Sequence, residues 1–502
     1  MVVDADGAGV DSVKKGQILF ARHQISGGLI YLYRMLPKSI AATREALDSG
    51  KMTTVDLVRG YLRAIEAQRH LNVYVEVFDE EALAEAARQD EARSAGAQLG
   101  RLAGVVISIK DVICYAGHGV SAGSRILEGF VSPYTATCLE RLLAEDAIVI
   151  GRTNCDEFAM GSGNENSHYG PTRNAADPAR VPGGSSGGAA VSVQAGTCLL
   201  ALGSSTGGSV RQPASFCGLY GFKPTYGRIS RHGLIAYGSS FDQIGFLAHD
   251  PADIALALEI SAGADPYDGT APNKIVPPYS RPPASGEKKK IAYFPEVMAS
   301  DGLAPHLRAV AQNALDEFRN EGHEVTAVTF DYFDYVVPTY YVLTTAEASS
   351  NLSRFDGMRY GYRSPEARDL QDTYTKSRSE GFGTEVQRRI LLGTFVLSSG
   401  YYDAYYGQAQ RARRLIRDQL RNILAEHDFI LMPVSPSLPW LVGEQVDDPV
   451  ANYLADIYTV IANLAGLPAV AVPTGEIDQL PVGYQLMADH WREQDLLDFI
   501  RS

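Results

Sequence analysis

Residues 181–218 read VPGGSSGGAAVSVQAGTCLLALGSSTGGSVRQPASFCG, and two glycine-flanked serine sites stand out in them. The first is Gly183-Gly184-Ser185-Ser186-Gly187-Gly188 and the second is Thr206-Gly207-Gly208-Ser209. Between them, residues 189–202 are small and apolar, a composition that belongs in a core. Glycine lets backbone approach a ligand closely and adopt positive φ, so two such loops can aim main-chain N–H groups at one point. Donors converging beside a hydroxyl are what acyl transfer needs, because an oxyanion develops there. Flexible linkers share this composition, but a linker does not enclose an apolar core segment.

Three chemistries compete for these loops. A phosphate cradle would need a Gly-Lys-Ser/Thr after one of the glycine runs, and neither loop has it. Gly183-Gly184-Ser185-Ser186-Gly187 fits a nucleophile elbow, but that elbow requires a buried strand immediately before it. Residues 174–182 (NAADPARVP) carry turn residues throughout and read as a loop. The third chemistry uses both serines with a lysine as base. Residues 104–112 (GVVISIKDV) supply one, because the β-branched run reads as a buried strand ending at Lys110. A lysine there ordinarily snorkels to the surface. Held inside, it loses its preference for the ammonium form and can act as a base near neutral pH.

In the order Lys110, Ser185, Ser209, these pieces resemble the amidase signature family. The resemblance implies an α/β architecture, a central mixed β-sheet covered by helices on both faces. It implies that Ser209 is the nucleophile that forms an acyl-enzyme. Ser185 matches a serine whose peptide bond is cis and which bridges the nucleophile to Lys110, the base. The N–H groups of Thr206, Gly207, Gly208 and Ser209 match the oxyanion hole. One position departs from the pattern. The family usually reads Gly-Ser-Asp-Thr-Gly-Gly-Ser, whereas residues 203–209 place Ser205 where the aspartate stands.

The composition agrees with a large globular enzyme: 502 residues, 45% hydrophobic and 21% charged. A net charge of −14 makes the chain a poor lone binder of nucleic acid, whose affinity comes from Lys and Arg at phosphates. The five cysteines form no C-x-x-C pair and sit in or beside apolar or glycine-rich segments, which reads as reduced core thiols in the cytoplasm. No acid–histidine spacing suggests a metal site, so the ten histidines read as structural. No uncharged apolar run approaches the roughly 18 residues a membrane span needs.

Residues 1–35 share no pattern with the rest of the chain and read as a variable extension, with Met35 as an alternative start. Arg22 and His23 interrupt the run Ile18-Leu19-Phe20-Ala21 and no small-residue cleavage site follows, so the stretch does not read as a secretory signal. From residue 36 a single catalytic domain is expected to run to residue 502. The pattern predicts helices over 40–47, over 55–68 capped by Thr54, and over 81–95. A strand over 105–109, a helix over 136–145 and a strand over 147–150 come next, and such alternation argues a buried sheet between helices. The loop 152–182 is too long to be passive and carries Phe158-Ala159-Met160-Gly161-Ser162, which resembles the family's segment beside the scissile amide. Residues 266–290 are proline-rich and read as a surface excursion, after which a strand resumes at Ile291.

The second half narrows the family. Residues 344–361 (TTAEASSNLSRFDGMRYG), 376–406 (KSRSEGFGTEVQRRILLGTFVLSSGYYDAYY) and 462–468 (ANLAGLP) look like the A subunits of bacterial-type Glu-tRNA(Gln)/Asp-tRNA(Asn) amidotransferases. That resemblance covers nearly everything from residue 37 onward and implies free glutamine as substrate. Arg389 matches the arginine that holds the α-carboxylate, Asp456 the acid that takes the α-ammonium, and Met160 and Tyr340 line the site. It implies further that this chain binds no cofactor, that a B subunit uses ATP and Mg²⁺ and grips the tRNA, and that a C subunit joins the two. A stand-alone amidase acting on small amides is the alternative activity. A scaffold subunit impaired by Ser205 is the alternative outside enzymology.

Overall fold

The computed structural model describes residues 36–284, 286–445 and 453–502, so the expected extension over 1–35 lies outside the described residues. Residues Pro37–Ser502 form one unit built on a single mixed sheet. Its strands are β1 (Tyr74–Val77), β2 (Val106–Lys110), β3 (Ile148–Thr153), β4 (Leu200–Ser205), β5 (Tyr220–Lys223) and β6 (Gln243–Ala248). The second half adds β7 (Lys290–Tyr293), β8 (Glu324–Ala327), β9 (Phe429–Pro433), β10 (Ala469–Ile477) and β11 (Leu480–Met487). They lie in the order β1-β3-β2-β4-β6-β5-β10-β11-β9-β7-β8. The pairs β2–β3, β2–β4, β7–β8 and β7–β9 are parallel, and the rest are antiparallel.

Alternation along the strands explains why the sheet is covered on both sides. Leu431, Val470 and Leu486 join one apolar layer, while their neighbours Ile430, Met432, Ala469 and Met487 join the other. Period two sends successive residues to opposite faces, so strands apolar at every position need cover on each. Leu142 of the helix Thr137–Leu143, Leu258 of Pro251–Ser261 and Leu315 of Pro305–Asn320 close the first layer. Leu343 of Phe333–Asn351, Leu420 of Gly407–Glu426 and Leu464 of Val460–Ala465 close the second. The edge strands β1 and β8 carry exposed Glu76 and Glu324, charges that discourage pairing with other chains.

Local chemistry moves several predicted boundaries. The cap of the second helix is Thr53 rather than Thr54. Its hydroxyl accepts from the N–H of Asp56, whose carboxylate accepts from the N–H of Thr53 in return. The third helix begins at Asp79, two residues early, with Asp79, Glu80 and Glu81 in its first turn where the dipole favours anions. Residues 189–202, read only as core, divide into the helix Gly187–Gln194 and the start of β4, with Gly196 at positive φ (65°) between them. The proline-rich stretch is free of helix and strand among its described residues until β7, and Ile275 within it is 91% exposed. All five cysteines are buried free thiols. Among the described residues no helix is long and apolar enough to cross a membrane.

Candidate active site

Lys110 ends β2, a strand hydrogen-bonded on both sides and buried at every residue. The side chain therefore has no route to solvent and is 0% exposed. Its ammonium nitrogen lies 2.7 Å from Ser185 Oγ, 3.0 Å from Ser186 Oγ, 3.0 Å from Ser204 Oγ and 3.5 Å from the Ser204 carbonyl oxygen. Burial lowers its pKa to about 8, and the negative charges of Asp156 and Asp242, among others, hold it from falling further.

The first serine loop reaches Lys110 because glycine lets it pass close to other backbone. Gly184 is wedged against Asp156, where a Cβ would lie 2.1 Å from a carboxylate oxygen. The Gly184–Ser185 peptide is cis. The Asp156 N–H donates to the Ser185 carbonyl (3.3 Å), and its carboxylate accepts from the N–H groups of Asn164 (2.9 Å) and Glu165 (3.1 Å). Burial raises Asp156 to about 6. The Ser186 N–H donates to the Ser209 carbonyl at 3.2 Å, which ties the first loop to the second.

The second loop is held from four directions. The Thr206 hydroxyl donates to Asp242 at 2.6 Å, and Asp242 also accepts from the N–H groups of Tyr237 and Gly238. Arg211 donates to the carbonyls of Gly207 (2.6 Å) and Thr459 (2.9 Å), and to the side-chain oxygens of Asn463 (2.7 Å) and Gln485 (2.6 Å). Asn463 in turn donates to the Ser205 carbonyl at 3.1 Å. Ser205 contributes a 3.4 Å hydroxyl contact to the Gly207 carbonyl. Arg211 is completely buried with no carboxylate in salt-bridge range among the described residues, and burial lowers its pKa to about 9.

Arg389, on the helix Thr384–Val396, is buried. It donates to Glu385 at 2.8 Å and to the Tyr237 hydroxyl at 2.7 Å, with the rings of Tyr237, Tyr341 and Tyr453 around its guanidinium. Asp456 accepts from the Ser162 hydroxyl at 3.0 Å through one oxygen, while its other oxygen is buried with no partner among the described residues. Burial raises its carboxyl to about 7, against the pull of Arg389 and Arg211. A Cβ on Gly208 would come within 2.8 Å of that unpartnered oxygen, and one on Gly207 within 2.8 Å of the Tyr340 hydroxyl. Asp456 and Tyr340 thus flank the second serine loop. Met160 is buried two residues before Ser162, its carbonyl held by Asn166 at 2.7 Å.

A buried lysine on a serine relay can move a proton, and a buried acid and guanidinium beside it can hold the two ends of an amino acid. Sequence reading missed several supporting groups. Ser186 and Arg211 lie within residues 181–218 and could have been weighed there. Asp242, Asn463 and Gln485 gave no signal, because they reach the loops only through the fold. Among the described residues no group of three or more His, Cys, Asp or Glu is placed to hold a metal ion.

The family model described as Amidase matches residues 56–497. The A subunit of the Glutamyl-tRNA(Gln) amidotransferase of Koribacter versatilis is 48% identical over 466 residues, spanning 91% of this chain and 96% of that one. The crystal structure of the corresponding A subunit from Thermotoga maritima superposes with a TM-score of 0.75 at 36% identity, covering 93% of this chain and 94% of that chain. A peptide amidase from Stenotrophomonas maltophilia gives 0.79 at 30% identity, covering 93% and 96%. Backbone likeness does not separate the last two, and sequence identity favours the amidotransferase A subunits.

Proposed function

The chain belongs to the amidase family, and on that premise we propose that it is the glutamine-hydrolysing A subunit of a cytoplasmic tRNA-dependent amidotransferase. The observation that carries the reading is the pair of buried groups around the serine loops. Asp456 has a carboxylate oxygen beside Gly208 with no partner among the described residues, and Arg389 is a buried guanidinium within electrostatic reach of it. Such a pair fits a free amino acid, since a guanidinium fork matches a carboxylate and a buried carboxylate seeks an ammonium.

The chemistry follows from the proton path. Neutral Lys110 takes a proton from the Ser185 hydroxyl at 2.7 Å as Ser185 takes one from Ser209. The Ser209 oxygen attacks the side-chain carboxamide carbon of glutamine, and the developing oxyanion is met by N–H groups of residues 206–209. The carbon–nitrogen bond breaks, the nitrogen leaves as ammonia with the proton returned through Ser185, and a glutamyl ester remains on Ser209. Water adds by the same path and releases glutamate. Ammonia would pass to a B subunit, which would use ATP and Mg²⁺ to activate misacylated tRNA, and a C subunit would join the two chains. With a net charge of −14, this chain leaves the grip on tRNA to its partner.

The test is a bypass. In the assembled complex, Ser209→Ala should abolish glutamine-dependent transamidation and leave the ammonium-dependent reaction within about twofold, because added ammonia enters downstream of the hydrolysis. Loss of both reactions in a complex that still assembles would place Ser209 in the tRNA chemistry and overturn the reading. Steady hydrolysis of simple amides without partners, and with no preference for an α-carboxylate, would favour a stand-alone amidase.

A further inference from the structure

Glu157 is 3% exposed and takes no part in the proton path. It opens the short segment Glu157–Ala159, in which Phe158 (φ 50°) and Ala159 (φ 60°) hold left-handed backbone, and the chain runs on into Met160, Gly161 and Ser162. Its carboxylate reaches across the molecule. The Gly383 N–H donates to both oxygens, at 2.9 and 3.1 Å, and the Ser124 hydroxyl donates to one of them. Gly383 is the N-cap of the helix that carries Arg389 and has no side chain to cap with, so Glu157 supplies the cap from a distant part of the sequence. The two are tightly fitted, since a Cβ on Gly383 would lie 2.5 Å from a Glu157 oxygen. The Phe158 ring packs 5.7 Å from that of Phe382 and reinforces the same junction.

The other end of the segment leads to the opposite side of the pocket. Asn166 accepts the Glu157 N–H at 3.0 Å and donates to the Met160 carbonyl at 2.7 Å, which fixes the turn. Two residues on, the Ser162 hydroxyl donates to Asp456. One short segment therefore touches the N-terminus of the Arg389 helix and the side chain of Asp456.

We propose that Glu157 is a positioning residue for glutamine, locking the helix Thr384–Val396 to the Glu157–Ser162 loop and so setting the spacing between Arg389 and Asp456. The inference rests on the glutaminase reading above and deepens it. A carboxylate at a helix N-terminus is favoured by the dipole; burial raises Glu157 to about 7 against its bonds from Ser124 and Gly383, so above that pH the link is ionised and charge-assisted. Substrate held at both ends tolerates little change in that spacing, because a charge-assisted contact to its carboxylate or its ammonium weakens as the partners move apart.

The experiment measures glutamine KM and kcat for the assembled complex with Glu157→Ala and Glu157→Gln, beside the ammonium-dependent rate and the melting temperature. Glu157→Ala should raise KM about tenfold or more with kcat within about threefold and the ammonium-dependent rate unchanged. Glu157→Gln keeps an acceptor oxygen for Gly383 and should recover most of the KM. If Glu157→Ala does not fold, Glu157→Gln decides alone, through a KM about two- to fivefold above wild type at unchanged kcat. A fall in kcat with KM unchanged, or no change in either, overturns the proposal while wild-type glutaminase activity leaves the parent reading standing. A wild-type complex that hydrolyses no glutamine overturns both.

Discussion

At the scale of single residues, the position that departs from the family pattern is also where the structure shows an imbalance. Arg211 is completely buried, its Nε has no partner among the described residues, and it shares the Gly207 carbonyl with the Ser205 hydroxyl. A carboxylate at 205 would stand beside that guanidinium. Ser205→Asp is therefore expected to keep or raise glutaminase activity in the assembled complex. A fall of tenfold, about 1.4 kcal/mol in the barrier, would show that the loop is rebuilt around serine and held by Thr206–Asp242, Arg211 and Asn463 without a carboxylate at 205. Two other residues set the pH dependence. Burial lowers Lys110 to about 8, and a base works in its neutral form, so kcat should rise with pH through about 8. Burial raises Asp456 to about 7, and it accepts an ammonium only when ionised, so glutamine KM should fall as pH rises through about 7. The kcat/KM profile between about pH 6 and 9.5 should thus be steeper below 7 than between 7 and 8. Asp456→Asn should weaken glutamine binding and shrink the lower inflection to the smaller part that Glu157, also raised to about 7 by burial, contributes, while leaving the upper one. A profile without an inflection near 8 would take Lys110 out of the role of base.

Among elements, the helices Phe333–Asn351 and Thr384–Val396 matter most to the pocket, since they carry Tyr340 and Arg389. They cross closely at Gly393, where a Cβ would lie 1.9 Å from the Thr345 carbonyl oxygen and 2.7 Å from the Ser349 side chain. Backbone on the facing helix cannot yield as a side chain can. Gly393→Ala should push the pair apart and cost about 1–3 kcal/mol of stability, as overpacking usually does. Arg389 moves with its helix, so glutamine KM should rise several-fold while ammonium-dependent transamidation is spared. Denaturant melts and initial rates on one preparation check both halves. Unchanged KM in a destabilised variant would show that the Glu157 end of the helix holds Arg389 by itself. The aromatic run at residues 401–406 forms the π-helix Tyr402–Tyr406, with Tyr401, Tyr402 and Tyr405 each over 40% exposed.

Over the whole molecule, one sheet gathers chemistry from distant parts of the chain. Lys110 comes from β2, the serine loops from either end of the segment leading through β4, and Arg389 and Asp456 from the second half. The mixed α/β class was legible in the sequence because it depends on local pattern. Apolar runs such as VISIK at β2 need a buried strand, and capped periodic segments between them need helices. The two serine loops were legible for the same reason, as were the reduced cysteines, now seen buried and unpaired. The strand pattern brought in Lys110, and resemblance assigned roles to Lys110, Ser185 and Ser209 and pointed to the pocket residues of the second half. Element boundaries were less legible: Thr53 and Thr54 are equally good caps by composition, and the Asp56 reciprocal bond decides between them. What sequence could not contain is which distant groups meet. Asp242 at Thr206, Asn463 at Ser205 and Glu157 at Gly383 are pairings across long chain separations, fixed only when the sheet order is fixed. The acidity of the site was equally out of reach. The pKa values near 8 for Lys110 and 7 for Asp456 arise from loss of water around each group. Burial is a property of the packed fold rather than of any stretch of sequence.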